Sequence, residues 1–593
     1  MNFSLYYRKN NNEELFNALE KSDFKITHLQ NYIPLYDNFF SLNATNYNSI
    51  NLNQKYYLTS IVETTDSNSL VALVTDVSNT ILEKSVFCKF SPLLDPLRLL
   101  TGKYDVSNNV LKQLPKFNDT PTTCFPKLLD KNNSAYVDSF FTYLSSQLLH
   151  NFNYINAIDY YGSYIGIKKK FNYNMVDDID YLNECDFFHK NEDILYCIDN
   201  NQHANIFNID SRSNKKKIVI SEKNQYFVVD KLEDNKCFIG LTSNTDDTSQ
   251  IDIDHVNIDL SNVCVYSTNL PTTTKSSKSD SSCSSKSSNT SAEYDESDSD
   301  CDSNSVNTKD NESNNDIDNN SDNDSDCNNC DSSVATDNST ICCSIYEFPV
   351  QMISMEKCTN TLDYLMENDL LNDEEWASCL FQIIITLTLF QKVFSFTHND
   401  LHTNNIMYVN TDKQYIHYCF NNTYYKVPTF GKVYKIIDFG RSIYKFNGKT
   451  MCSDSFHPKG DAGTQYNCEP YFNDKKPRLE PNYSFDLCRL ACCLFDNFIE
   501  DLDDLESVIK KNKVAQLVHS WLIDDKKRNI LYKTNGEERY PEFKLYKMIA
   551  RTIHGAVPSK QLDHVLFKKY IVPRKKINRN HNIINIDTIP ILG

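Results

Sequence analysis

Between about Pro271 and Thr340 the chain is built almost wholly from Ser, Asp, Asn, Thr and Lys, with Tyr294 its only aromatic residue. Such a tract cannot bury enough apolar surface to offset the entropy of ordering, so disorder is expected there. It interrupts the protein, because patterned sequence resumes at Ile341. Any core must therefore be assembled from chain on both sides of it. The tract also holds most of the charge: Ser291–Thr340 has fifteen Asp/Glu and one Lys, a net of −14 out of −19, which leaves −5 for the other 543 residues. A protein that works by neutralising phosphates needs a basic footprint. The balance of this chain offers none, so direct nucleic-acid binding is not expected. For the acidic tract itself a basic partner is the physical expectation, with binding that weakens as salt rises.

Hydrophobic residues make up 40% of the chain, with 36 Tyr and 34 Phe against 12 Gly, which is enough apolar material for a large core. The longest apolar run, Phe381 to Phe390, contains two threonines and a glutamine, short of the ~18 uninterrupted apolar residues of a membrane span. The first residues lack the basic-then-apolar order of a signal peptide. No membrane contact and an intracellular, cytoplasmic location are expected, and the twenty cysteines then read as thiols. Cys327 and Cys330 form a C-x-x-C without a second pair at zinc spacing, and Cys488, Cys492 and Cys493 fall at helical spacing in an apolar stretch.

Strand-like alternation marks Tyr56–Glu63, Leu70–Asp76 and Lys84–Phe90, separated by turn-forming clusters. Tyr136–His150 carries apolar residues at helical spacing, and a strand-like Tyr160–Ile167 follows. Lys217–Ile220 and Gln225–Val229 are also strand-like. After the tract, Tyr346–Met355 reads as a strand, and Asn372 precedes an apolar helix from about Asp373 to Phe396 with acidic residues in its first turn. Beyond Ser484 helical patterns dominate to about Tyr570, and Pro573 onward reads as a basic, irregular tail.

The most informative residues are His398-Asn399-Asp400-Leu401-His402-Thr403-Asn404-Asn405, which run into a strand-like Ile406–Val409. Downstream, Tyr434–Ile437 is an apolar strand ending in Asp438-Phe439-Gly440. This pair resembles the protein-kinase-like fold, whose catalytic loop reads H-R-D-x-x-x-x-N and whose metal-binding segment is D-F-G. Phosphoryl transfer asks a protein chiefly for positioning and charge neutralisation. The resemblance implies that Asp400 orients and deprotonates the attacking hydroxyl. It implies that Asn405 and Asp438 hold Mg²⁺ against the phosphates of ATP, with Phe439 and Gly440 completing the segment.

Other parts of the resemblance follow in order. Val86-Phe87-Cys88-Lys89-Phe90 matches the strand that supplies the phosphate-binding lysine, Lys89. Its partner in the family is a glutamate on the next helix; Asp138 is the only acid between Asn132 and Ala157 and takes that role, one methylene shorter. Met355-Glu356-Lys357-Cys358 falls at the lobe-connecting hinge, where the backbone of Glu356 and Cys358 would meet adenine. Asn467-Cys468-Glu469-Pro470 takes the place of A-P-E, and Asp486 that of the aspartate bracing the catalytic loop. The implied fold is α+β and two-lobed, a strand-rich small lobe and a mostly helical large lobe. On this reading 1–54 is an extension, 55–170 the first part of the small lobe, 171–270 an insertion and 271–340 the acidic linker. Residues 341–358 then end the small lobe at the hinge, 359–570 form the large lobe and 571–593 a basic tail.

The pattern is broken in three places. No glycine occurs between Met1 and Thr101, so the Gly-rich loop is missing and the turn Thr64–Ser69 stands in its place, with Asp66 set to repel phosphate. Asn399 replaces the arginine that pairs with a phosphorylated activation segment, which implies activity independent of such phosphorylation. His402 stands where protein kinases carry lysine, and a histidine offsets charge only when protonated or by donating a hydrogen bond. H-x-D-L-H-x-x-N is also similar to haspin-type kinases and to the choline-kinase and aminoglycoside-phosphotransferase families, and the Asn/Lys/Ile/Tyr bias is similar in style to kinases of large DNA viruses. The span Gly440–Glu469 resembles a full activation segment, a platform for protein substrates. An atypical Ser/Thr protein kinase using Mg-ATP is the expectation. A pseudokinase scaffold and a small-molecule phosphotransferase remain the alternatives.

Overall fold

The structure is a computed structural model, and it describes residues 3–198, 341–577 and 582–593. These residues form a mixed α and β protein with a strand-rich part and a set of helices. The largest sheet has seven strands: β1 (Ile26–Gln30), β2 (Tyr56–Thr64), β3 (Ser69–Asp76), β4 (Ile81–Pro92), β5 (Tyr160–Asn174), β6 (Tyr196–Ile198) and β7 (Cys342–Glu356). Their spatial order is β1-β5-β7-β4-β3-β2, with β6 pairing β7 off that path, and every pairing is antiparallel. Sequence from beyond the acidic tract thus enters the middle of a sheet whose other strands precede it.

The pleat explains where β4 points its side chains. Val86, Cys88 and Phe90 are buried on one face, and the period of two turns Phe87 and Lys89 to the other. Helix α1 (Glu13–Lys21) precedes β1. Helix α2 (Ser134–Phe152) begins at Asn133, whose side chain accepts from the Ala135 amide, and is buried through most of its length. Its Phe141 stacks on Phe396 at 4.3 Å and meets Phe439 edge-on at 4.7 Å.

Helix α3 (Asp373–Phe394) opens with a capping box between Asn372 and Glu375. Among the described residues it alone is long and apolar enough to cross a membrane, and it is buried almost throughout inside the protein. A loop from Ser395 leads to β8 (Ile406–Asn410), which pairs antiparallel with β11 (Lys432–Ile436). The hairpin of β9 (Tyr415–Phe420) and β10 (Thr423–Pro428) lies between them in sequence. Helices α4 (Phe485–Phe498) and α5 (Phe543–Thr552) follow.

Three boundaries differ from the sequence reading. Residues 3–54 are no extension: β1 pairs with β5, and a strand edge needs such cover. The expected insertion from 171 begins inside the sheet, since β5 runs to Asn174 and pairs with Cys342. The expected irregular tail folds back, with Ile583–Asn585 parallel to β9 and the amides of Asn421 and Asn422 donating to Asp587. The strands expected at 217–220 and 225–229, the disorder expected at 271–340 and the Cys327/Cys330 pair lie outside the described residues.

Candidate functional site

Lys89 is the focus of one half of the site. Its Nζ lies 2.8 Å from Asp138 Oδ2 and 2.7 Å from Asp438 Oδ1. Asp138 is almost fully buried, and its other oxygen accepts the Phe439 amide at 2.8 Å. One carboxylate on α2 therefore fastens both the β4 lysine and the backbone just after β11. Burial works against the Lys89 charge, but Asp138 and Asp438 outweigh it and raise its pKa. Burial also opposes ionisation of Asp438, yet Lys89 holds it below the usual carboxylate range. For Asp138 burial wins and pushes the carboxyl up, with Lys89 opposing. Asp438 has a left-handed backbone (φ +62°), which aspartate tolerates better than most residues.

The second half is the loop 397–405. Asp486, buried on α4, accepts the amides of His398 and Asn399, both at 2.9 Å. His398 Nε2 lies 2.9 Å from Ile437 O, and the Ile437 amide donates to Asn405 O at 3.0 Å. The residue before Asp438 is thus clamped by the same loop that carries Asp400, and the two motifs read from the sequence meet. Asn399 sits in the left-handed region (φ +65°); its amide group donates to Thr397 and to Arg441 O, and it accepts from Tyr466.

Asp400 is half-buried, and Tyr546 on α5 donates to its Oδ1 at 3.2 Å. Burial opposes its ionised form, but Arg441 first, then His402, Arg489 and His398, bring its pKa below the ordinary value. Asn405 donates to Asp400 O at 2.9 Å and to His402 Nε2 at 3.0 Å. Burial pushes His402 down to about 4, so the ring is neutral and Nε2 accepts. With Nε2 accepting from Asn405, the neutral ring keeps only its Nδ1–H for the charge-offsetting role expected of His402.

The turn between β2 and β3 is closed on itself. The amides of Thr65 and Asp66 donate to Ser69 O at 2.9 and 3.3 Å, and that of Asn68 donates to Asp66 Oδ1 at 2.9 Å. Pairing of β3 with β4 starts at Ser69 and Phe87, two residues short of Lys89. Asp66 pairs with Lys357 at 3.0 Å. Glu356 is committed to structure: its side chain pairs with Lys435 and accepts the Asp159 amide, and its own amide donates to Asp159 O. Cys358 is buried, and its thiol is pushed up to about 12 by burial.

Asn405 spends its amide N–H groups within the loop, which leaves its carbonyl oxygen, and Asp438 meets Lys89 through Oδ1, which leaves Oδ2. Two hard oxygen donors of this kind suit Mg²⁺, which takes its remaining ligands from phosphates and water. Among the described residues no cluster of three or more His, Cys, Asp or Glu side chains could hold a metal alone. Tyr546, Arg489 and Arg441 were not read from the sequence. Only Arg489 carries a local signal, as the one basic residue inside the apolar stretch Phe485–Phe495. The sequence matches no protein-family model, and no curated protein matches it either.

Proposed function

We propose that this chain is an atypical Ser/Thr protein kinase on a two-lobed protein-kinase-like fold, transferring the γ-phosphoryl group of ATP to a protein hydroxyl. The observation that carries the reading is Lys89, held between Asp138 at 2.8 Å and Asp438 at 2.7 Å from three separate elements. That is the charge arrangement a phosphate-binding lysine and a metal-binding aspartate require. Asp400, ionised and half-buried, is suited to accept a proton from a substrate hydroxyl. Lys89 would anchor the phosphates, and Asn405 and Asp438 would hold magnesium. When bound, that ion supplies neutralisation of the developing phosphate charge. The acidic tract gives the reading a basic protein as partner.

A specific observation favours a second reading, a pseudokinase scaffold. The turn 64–69 contains no glycine, directs its amides inward and carries Asp66 paired with Lys357. It therefore offers phosphates little. Label transfer from γ-labelled ATP with Mg²⁺ to a basic protein separates the two readings. The kinase reading expects transfer that falls about 10²–10⁴-fold in Asp400→Asn. Absence of transfer by the wild-type chain, with no ATP binding, would establish the scaffold instead.

A further inference from the structure

The family pattern places a positive side chain beside the catalytic aspartate, and this chain has Asn399 and His402 there. The structure supplies charge from elsewhere. Arg489 is buried on α4, three residues after Asp486, so both project from one face of the helix. Its Nε donates to the Tyr546 hydroxyl at 2.7 Å, and one of its terminal nitrogens lies 2.9 Å from Cys493 Sγ. The guanidinium carbon sits 5.2 Å from the Tyr546 ring centre. Tyr546, itself buried, reaches Asp400 Oδ1 at 3.2 Å.

The direction of these bonds is fixed by chemistry. A guanidinium cannot accept a hydrogen bond, and a phenol has a single proton. With Arg489 donating to its oxygen, the Tyr546 hydroxyl gives that proton to Asp400. We infer that Tyr546, oriented by Arg489, is a positioning residue that pins Asp400 Oδ1 and leaves Oδ2 to face the hydroxyl acceptor. Arg441 also favours the ionised Asp400, and Asp461 pairs with it. This inference rests on the kinase reading for its catalytic consequence and on geometry alone for the contact.

Tyr546→Phe keeps the ring that packs against Phe485 and Phe543 and removes only the hydroxyl. In the full chain it should lower kcat for label transfer between ~10- and ~100-fold, as loss of orientation does. KM for ATP should stay within about two-fold, because the residue binds no substrate. Arg489→Lys, which lacks the Nε donor, should reproduce that split. Unchanged kcat in Tyr546→Phe, or a rise in KM that accounts for the whole loss, would overturn the assignment. A cycle of Tyr546→Phe and Asp400→Ala, which removes the acceptor, on the melting temperature decides the contact without any turnover. A smaller shift from Tyr546→Phe in the Asp400→Ala background supports it, and additive shifts overturn it. A wild-type chain that transfers no label but shows the coupling would sink the kinase reading alone.

Discussion

At the scale of single residues, the shorter acid at position 138 is offset by how α2 packs. Asp138 reaches Lys89 with one oxygen and the Phe439 amide with the other, so nothing of the carboxylate is left over. Asp138→Ala would strand a buried N–H and weaken the hold on Lys89, with a loss of about 3 kcal/mol in unfolding free energy. His402 gives a sharper test because its pH dependence has a definite sign. Its pKa falls from 6.5 unfolded to about 4 folded. Between those values the unfolded chain binds more protons, so stability is full above about pH 6.5 and declines as pH falls toward 4. Measured against His402→Asn by thermal unfolding, the wild type should lose about 3 kcal/mol of its advantage over that interval. An advantage that does not change with pH would mean that the ring titrates in the fold as it does in the unfolded chain. Lys89, Asp138 and Asp438 are shifted as well, but both proteins carry them, so to first order they cancel in this difference.

At the scale of elements, the segment after Asp438 is anchored by side chains already in the sequence. Asp454 accepts the Ser134 amide at 3.0 Å at the start of α2 and pairs with Lys127. Its own amide donates to Asn132 O at 2.7 Å. A carboxylate at a helix N-terminus is favoured by the orphan amides and the helix dipole. The contact ties the segment to the helix that carries Asp138, and on the proposed kinase reading it does so without an added phosphate. Asp454→Asn should cost about 2 kcal/mol, less than a fully buried pair because Lys127 is partly exposed. It should also speed proteolysis within 441–470, while phosphatase treatment leaves wild-type label transfer unchanged. Loss of transfer after phosphatase would refute this account. What could be read in advance follows the same division. Strands β2, β3, β4 and β7 and helices α2 and α3 announce themselves by period, and Asn372 by its capping box. The closeness of Lys89, Asp138 and Asp438 came from motif order. Asp454, Tyr546 and Arg489 act across distances that no local pattern encodes, and β1 and Ile583–Asn585 are too short for their period to separate from loop.

At the scale of the molecule, strands distant in sequence end side by side. Ile198, at the end of β6, lies opposite Cys343 in the antiparallel pairing of β6 with β7. Partners in such a ladder sit about 5 Å apart. Everything between 199 and 340 is therefore inserted where two adjacent strand ends could be joined by a short hairpin. Closing a loop becomes harder only slowly with its length, and β7 is paired with β5 and β4 through described residues alone. Replacing 199–340 by a short Asn-Gly hairpin turn should leave the melting temperature within a few degrees of the wild type. Label transfer to a generic substrate should persist. Affinity for a basic protein at low salt should drop, because the tract that carries −14 of the net charge has gone. A large fall in melting temperature would mean that residues 199–340 supply part of the core, and undiminished low-salt affinity would remove the docking role proposed for the tract.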